Sequence, residues 1–138
     1  MKIFICSSKY LYGKIPEIKQ FLEKSGHQII LPNSYEEPLK EEEMKKAGKE
    51  EHIKWKSGMI RLQTPKVKES DALLVLNFEK NGQPNYIGGA TFLEIFRGWE
   101  LNKKIYLMNP IPDNLLKDEL IGMNPIILNG DLTKISEK

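Results

Sequence analysis

The run Ala72-Leu73-Leu74-Val75-Leu76 constrains this chain more than any other feature of its sequence. Successive residues of a strand face opposite ways, so a strand that is apolar at every position must be covered on both faces. A central strand of a parallel sheet, with helices above and below, meets that demand. Ile3-Phe4-Ile5-Cys6, Gln28-Ile29-Ile30-Leu31 and Ile105-Tyr106-Leu107-Met108 read as further short buried strands, and Pro125-Ile126-Ile127-Leu128 as a fifth.

Helical patterns separate these runs. Ile15, Ile18, Phe21 and Leu22 recur at helical spacing until Ser25-Gly26 stops them. Lys40 to Lys56 reads as a solvated helix with one thin buried edge (Met44, Ala47, Ile53, Trp55), its Lys and Glu residues in balance. A second helical piece after Gly58 carries Met59, Leu62 and Val67, and Pro65 is expected to disturb or end it. Phe92, Ile95, Phe96 and Trp99 form one stripe, with Trp99 and Trp55 expected in the core, and Asn114 to Leu120 reads as a short helix. The alternation predicts an α/β fold: a flavodoxin-like or Rossmann-like three-layer sandwich around a mostly parallel five-stranded sheet.

Its 138 residues suit one domain spanning residues 1–138, because neither side of the Pro32 to Pro38 loop could bury a core alone. Cys6 is the only cysteine, which excludes an internal disulfide and a multi-cysteine zinc site and fits a reducing cytoplasm. With 21 basic and 19 acidic side chains, the charge of +2 points to neither nucleic acid nor an anionic membrane. The apolar runs are far short of a bilayer span, and no signal-peptide pattern opens the chain, so a soluble cytoplasmic protein is expected. His27 and His52 join no metal-ligand or triad pattern, and no metal or organic cofactor is expected.

In a sheet of this kind ligands bind beyond the carboxyl ends of the strands. Ser7 and Ser8 follow the first strand, where their hydroxyls and amides suit a phosphate or a sugar, or simply cap a turn. No GxGxxG or P-loop is present, which disfavours a dinucleotide oxidoreductase and a Walker-type hydrolase. The loop Lys80 to Gly89 ends in Gly88-Gly89, where a ligand can approach the backbone closely, and Glu94 is expected in the first turn of the helix behind it. There it has two readings. It is a nucleophile for an electron-poor carbon such as the anomeric centre of a sugar. Alternatively, Thr91-Phe92-Leu93-Glu94 is a capping box that returns the carboxylate to its own helix.

Ile3 to Ser8, Ser70-Asp71-Ala72-Leu73-Leu74-Val75, and Gly88-Gly89-Ala90-Thr91-Phe92-Leu93-Glu94 followed by Lys103-Lys104-Ile105 together resemble the nucleoside 2-deoxyribosyltransferase-like family. That family includes the 2′-deoxynucleoside 5′-phosphate N-hydrolases. The resemblance implies a flavodoxin-like sheet and cleavage or transfer of the N-glycosidic bond of a (deoxy)nucleoside or its monophosphate. It also implies Glu94 as nucleophile, no cofactor, and a homodimer or higher oligomer. Ser8 matches a serine near the sugar-phosphate, Asp71 an aspartate at the start of the third strand, and Ser7, Tyr10, Tyr86, Gly88 and Gly89 complete the expected substrate-binding set. The chain departs from the family at Phe4 for a tyrosine, Tyr10 for an arginine, Ile95-Phe96 for a Leu-Gly pair, and Gln63 for a second catalytic carboxylate. Those departures leave a non-catalytic nucleotide-binding module as the alternative.

Overall fold

The computed structural model describes residues 1–136. Five strands form one parallel sheet in the order β2-β1-β3-β4-β5: β1 Lys2–Cys6, β2 Gln28–Ile30, β3 Ala72–Val75, β4 Lys104–Leu107 and β5 Ile126–Ile127. Helices α1 (Ile15–Lys24), α2 (Lys40–Ala47), α3 (Lys49–Glu69), α4 (Gly89–Glu100) and α5 (Lys117–Met123) connect them, with a 3-10 turn at Lys9–Lys14 and another at Leu132–Lys134. The fold is the expected flavodoxin-like or Rossmann-like three-layer sandwich. Its strand order reverses between β1 and β3, and there the carboxyl ends of two neighbouring strands diverge into a crevice.

Strand periodicity divides the core cleanly. Ile3, Ile5, Ala72, Leu74 and Tyr106 turn to one face, where Ile15, Ile18 and Leu22 of α1 cover them together with Leu128 and Ile135. Phe4, Cys6, Leu73, Val75, Ile105 and Leu107 turn to the other, under Val67 of α3, Ile95 of α4 and Leu120 of α5. Every residue of β3 is fully buried, as its unbroken apolar run required.

Three elements depart from expectation. The charged segment is two helices, because Gly48 takes φ +141°, a conformation that ends α2 and starts α3 anew. Helix α3 then runs straight through Pro65 to Glu69, since Gln63 and Val67 on either side of the proline are buried and tertiary packing overrides the lost backbone bond. The last helix begins at Lys117, later than Asn114, and leaves Leu115 exposed.

Helix α4 approaches the sheet closely. A Cβ placed on Gly98 would stand 2.9 Å from Leu73 Cδ2 and 3.1 Å from Ile105 Cδ1, so only glycine allows this separation. Trp99, one residue on, is 47% exposed against the expectation of core burial, with its ring 6.2 Å from that of Phe96. Among the described residues no helix is long and apolar enough to cross a membrane.

Candidate active site

A cavity of about 260 Å³ opens at the β1/β3 switch point. That volume is near the lower end of small-molecule sites, about 300–1,000 Å³. The loop after β1 supplies Ser7, Ser8, Tyr10 and Tyr12, the loop after β2 supplies Asn33 and Ser34, and the glycine loop supplies Tyr86, Gly88 and Gly89. Trp55, Met59, Ile60 and Gln63 of α3 form one wall, and Glu94 stands at the inner end. The structure thus brings Ser7, Ser8, Tyr10, Tyr86, Gly88, Gly89 and Glu94 into one space.

Asp71 is placed elsewhere. It precedes β3, at the opposite end of the sheet, and its Oδ2 accepts a hydrogen bond from the Lys2 amide at 2.8 Å. There it stitches two strand starts together and cannot reach a ligand in the cavity. Ser8 does cap a turn, its Oγ accepting from the Tyr10 amide at 3.4 Å, while it also lines the cavity.

The capping-box alternative for Glu94 is not realised. Gly88 occupies the N-cap position and α4 starts at Gly89, so Thr91 is already inside the helix and buried. Glu94 therefore falls in the second turn, one turn deeper than expected, where the helix passes the end of β1. It is 7% exposed, and burial pushes its carboxyl up to about 8. The Cys6 thiol, within hydrogen-bonding reach, and the charges of Lys66 and Arg97 pull the other way. Burial outweighs them.

The groups behind Glu94 are fixed in turn. Cys6 is fully buried, which together with the facing carboxylate drives its thiol pKa well upward and leaves it a neutral donor rather than a nucleophile. Lys66 donates to the Leu31 carbonyl and lies 5.9 Å from the centroid of the Phe4 ring, and burial lowers its pKa against the attraction of Glu94. Gln63 donates through Nε2 to the Ala90 carbonyl at 3.0 Å and accepts at Oε1 from Arg97 Nε at 3.2 Å, while Arg97 also donates to Thr64 Oγ1 at 2.8 Å. Tyr12 is half-buried and pushed up to about 12 by burial, against a hydrogen bond with Ser34.

The outer rim is ionic. Lys9 pairs with Glu42 and lies 4.0 Å from Glu41, which also meets Lys56 at 3.3 Å and His52 Nε2 at 2.9 Å. These contacts hold α2 against the loop after β1 and against α3. Among the described residues no cluster of His, Cys, Asp and Glu could hold a metal ion.

Sequence reading missed the parts of the site that depend on tertiary placement: Lys66, Arg97, Asn33, and Cys6 as a neighbour of Glu94. One signal was available. Trp55, Met59, Gln63 and Val67 recur every four residues, one continuous row down α3 that includes a cavity wall.

No family model and no curated protein matches the chain by sequence. Among solved structures, a CMP N-glycosidase of Clostridium botulinum (BcmB) superposes with a TM-score of 0.55 at 19% identity, over 92% of this chain and 88% of that one. At that identity the likeness establishes a shared fold.

Proposed function

We propose that this protein cleaves the N-glycosidic bond of a nucleoside or nucleoside monophosphate, with Glu94 as the nucleophile. The observation that carries the reading is a carboxyl 7% exposed at the inner end of a glycine-lined cavity, on a rigid helix, free of the capping role that would otherwise explain it. The fold shared with a CMP N-glycosidase supports it. In its ionised form Glu94 attacks the anomeric carbon as the base departs, and water then resolves the glycosyl ester. Ser7, Ser8 and the Gly88-Gly89 backbone hold the sugar side, and Tyr10, Tyr12 and Tyr86 offer ring faces to the base.

The test is release of free base from a panel of ribo- and 2′-deoxyribonucleosides and their monophosphates, followed by chromatography. Release that disappears in Glu94→Gln bears the reading out. A panel left intact by the wild-type protein overturns it. The second reading, a binding module without turnover, is favoured by Gln63, an amide where a second carboxylate would assist the departing base. It expects a nucleotide to raise Tm while remaining unconsumed.

A further inference from the structure

The mouth of the cavity already holds a cation. Lys80, in the tight turn closed by reciprocal Lys80 and Gln83 backbone hydrogen bonds, places its Nζ 3.9 Å from the Tyr10 ring centroid and 4.4 Å from that of Tyr86. The two rings therefore lie no more than about 8 Å apart. A flat ring held between two ring faces needs two contact distances of about 3.5–4.0 Å, which that upper limit admits. Ring faces attract cations through their quadrupoles, and a second ammonium, that of Lys9, lies 5.5 Å from the Tyr10 centroid. Lys80 belongs to a surface turn and can swing out to solvent; Tyr10 and Tyr86 both line the cavity that ends at Glu94.

Several polar groups of the same cavity are already engaged and not free to protonate a departing base. Gln63 has both ends of its amide engaged, by the Ala90 carbonyl and by Arg97. The rim carboxylates are engaged: Glu42 is ion-paired with Lys9, and Glu41 is ion-paired with Lys56 and in hydrogen-bond contact with His52 Nε2. Glu94 itself must be ionised to attack. A neutral heterocycle leaves as an anion unless a proton reaches its ring nitrogen, whereas a heterocycle that already carries a positive charge leaves as a neutral molecule.

We infer that the preferred substrates are N-glycosides of positively charged heterocycles, such as pyridinium or 7-alkylpurinium nucleosides, whose ring displaces Lys80 between Tyr10 and Tyr86. The inference rests on the N-glycosidic reading above. In the first step a Glu94 oxygen bonds to C1′ while the C1′–N bond breaks, and its electron pair cancels the ring's charge. In the second, water adds its hydroxyl to C1′, the carboxylate is released, and the water's proton passes to it and then to solvent. No oxidant, reductant or acid catalyst is needed. With Glu94 ionised, as attack requires, the lining carries Glu37, Glu41, Glu42 and Glu94 against Lys9, Lys45 and Lys56, so it holds no excess of positive charge against a cationic ligand.

The experiment compares kcat/KM, corrected for spontaneous cleavage, for nicotinamide riboside and 7-methylguanosine against cytidine, guanosine and their 2′-deoxy forms, each with and without a 5′-phosphate. Cationic substrates are expected to lead by at least tenfold. Tyr10→Leu and Tyr86→Leu are expected to raise KM for the cationic members several-fold, while Tyr10→Phe and Tyr86→Phe keep the preference. Equal or faster cleavage of neutral nucleosides overturns the inference and leaves N-glycosidic cleavage standing. Leucine variants with the wild-type KM for cationic substrates also overturn it. Cleavage of no member overturns both this inference and the reading on which it rests.

Discussion

The Gln63 side chain accepts a hydrogen bond from Arg97 Nε at 3.2 Å while donating to the Ala90 carbonyl at 3.0 Å, so one amide ties α3 to two turns of α4. Glu94 lies between those two attachment points. The amide serves as a strap, and its neutrality leaves the charge of Arg97 available to Glu94. Where the family resemblance pointed to an aspartate, a carboxylate would have cancelled that charge.

Gln63→Leu keeps the volume and removes the strap, leaving buried donors and acceptors without partners. Each such loss costs about 1–3 kcal/mol. For a domain of this size, Tm should fall by about 3–15 °C in a thermal melt, since 1 kcal/mol shifts it by roughly 3–5 °C. A variant that melts with the wild type would show that the strap holds nothing.

Glu94 predicts a pH dependence of definite sign. Its carboxyl is raised from 4.5 to about 8, so at neutral pH the nucleophilic carboxylate is the minor form. With N-glycosidic cleavage as the reaction, kcat/KM should climb as pH rises through about 8. Stability runs the opposite way. Between pH 4.5 and 8 the unfolded chain has released this proton and the native one has kept it, so stability falls across that window. Glu94→Gln removes the linkage, and at pH 8 should exceed wild-type stability by a few kcal/mol, with little difference near pH 4.5. Parallel denaturant titrations at the two pH values measure this, and equal differences at both would refute it.

Lys66 supplies a charge that lowers the Glu94 pKa, although its first effect on its own titration is that of burial. Lys66→Met retains the buried stem and deletes the ammonium. The acid limb of the activity profile should then move to higher pH, with a loss of activity at pH 7 that recovers toward pH 9. A uniform loss at all pH values would mean that the lysine acts only by holding the Leu31 carbonyl.

What could be read from the sequence follows the range of the interactions involved. Ala72 to Val75 declared a central parallel strand because both faces had to be apolar, a local requirement, and β1 and β4 followed the same rule. Gly88 and Gly89 marked the cavity because a helix begins there. The start of that helix is decided by backbone conformation, and Thr91 offered a plausible cap that Gly88 provides instead. Pro65 illustrates the reverse error, a local rule overruled by the burial of Gln63 and Val67. Cys6 and Glu94 are 88 residues apart in the chain, and only the packing of α4 on the sheet places the thiol beside the carboxyl.

That packing depends on Gly98, one turn beyond Glu94 on α4. Its missing side chain lets the helix rest against Leu73 and Ile105, and a methyl group there would meet Leu73 Cδ2 at 2.9 Å. Gly98→Ala gains about 1 kcal/mol of helix propensity, yet overpacking of a filled core costs typically 1–3 kcal/mol. The core term should win, because Leu73 is fully buried between β1 and β4 and has no open side to which it can retreat. The variant should melt a few degrees lower. If the helix lifts to make room, Glu94 moves with it, and under the N-glycosidic reading kcat should fall more than KM changes. Gly98→Ala combined with Leu73→Val frees the colliding methyl and should restore both Tm and kcat in part; a double mutant no better than the product of the two single effects would show that the close approach does not set the position of Glu94.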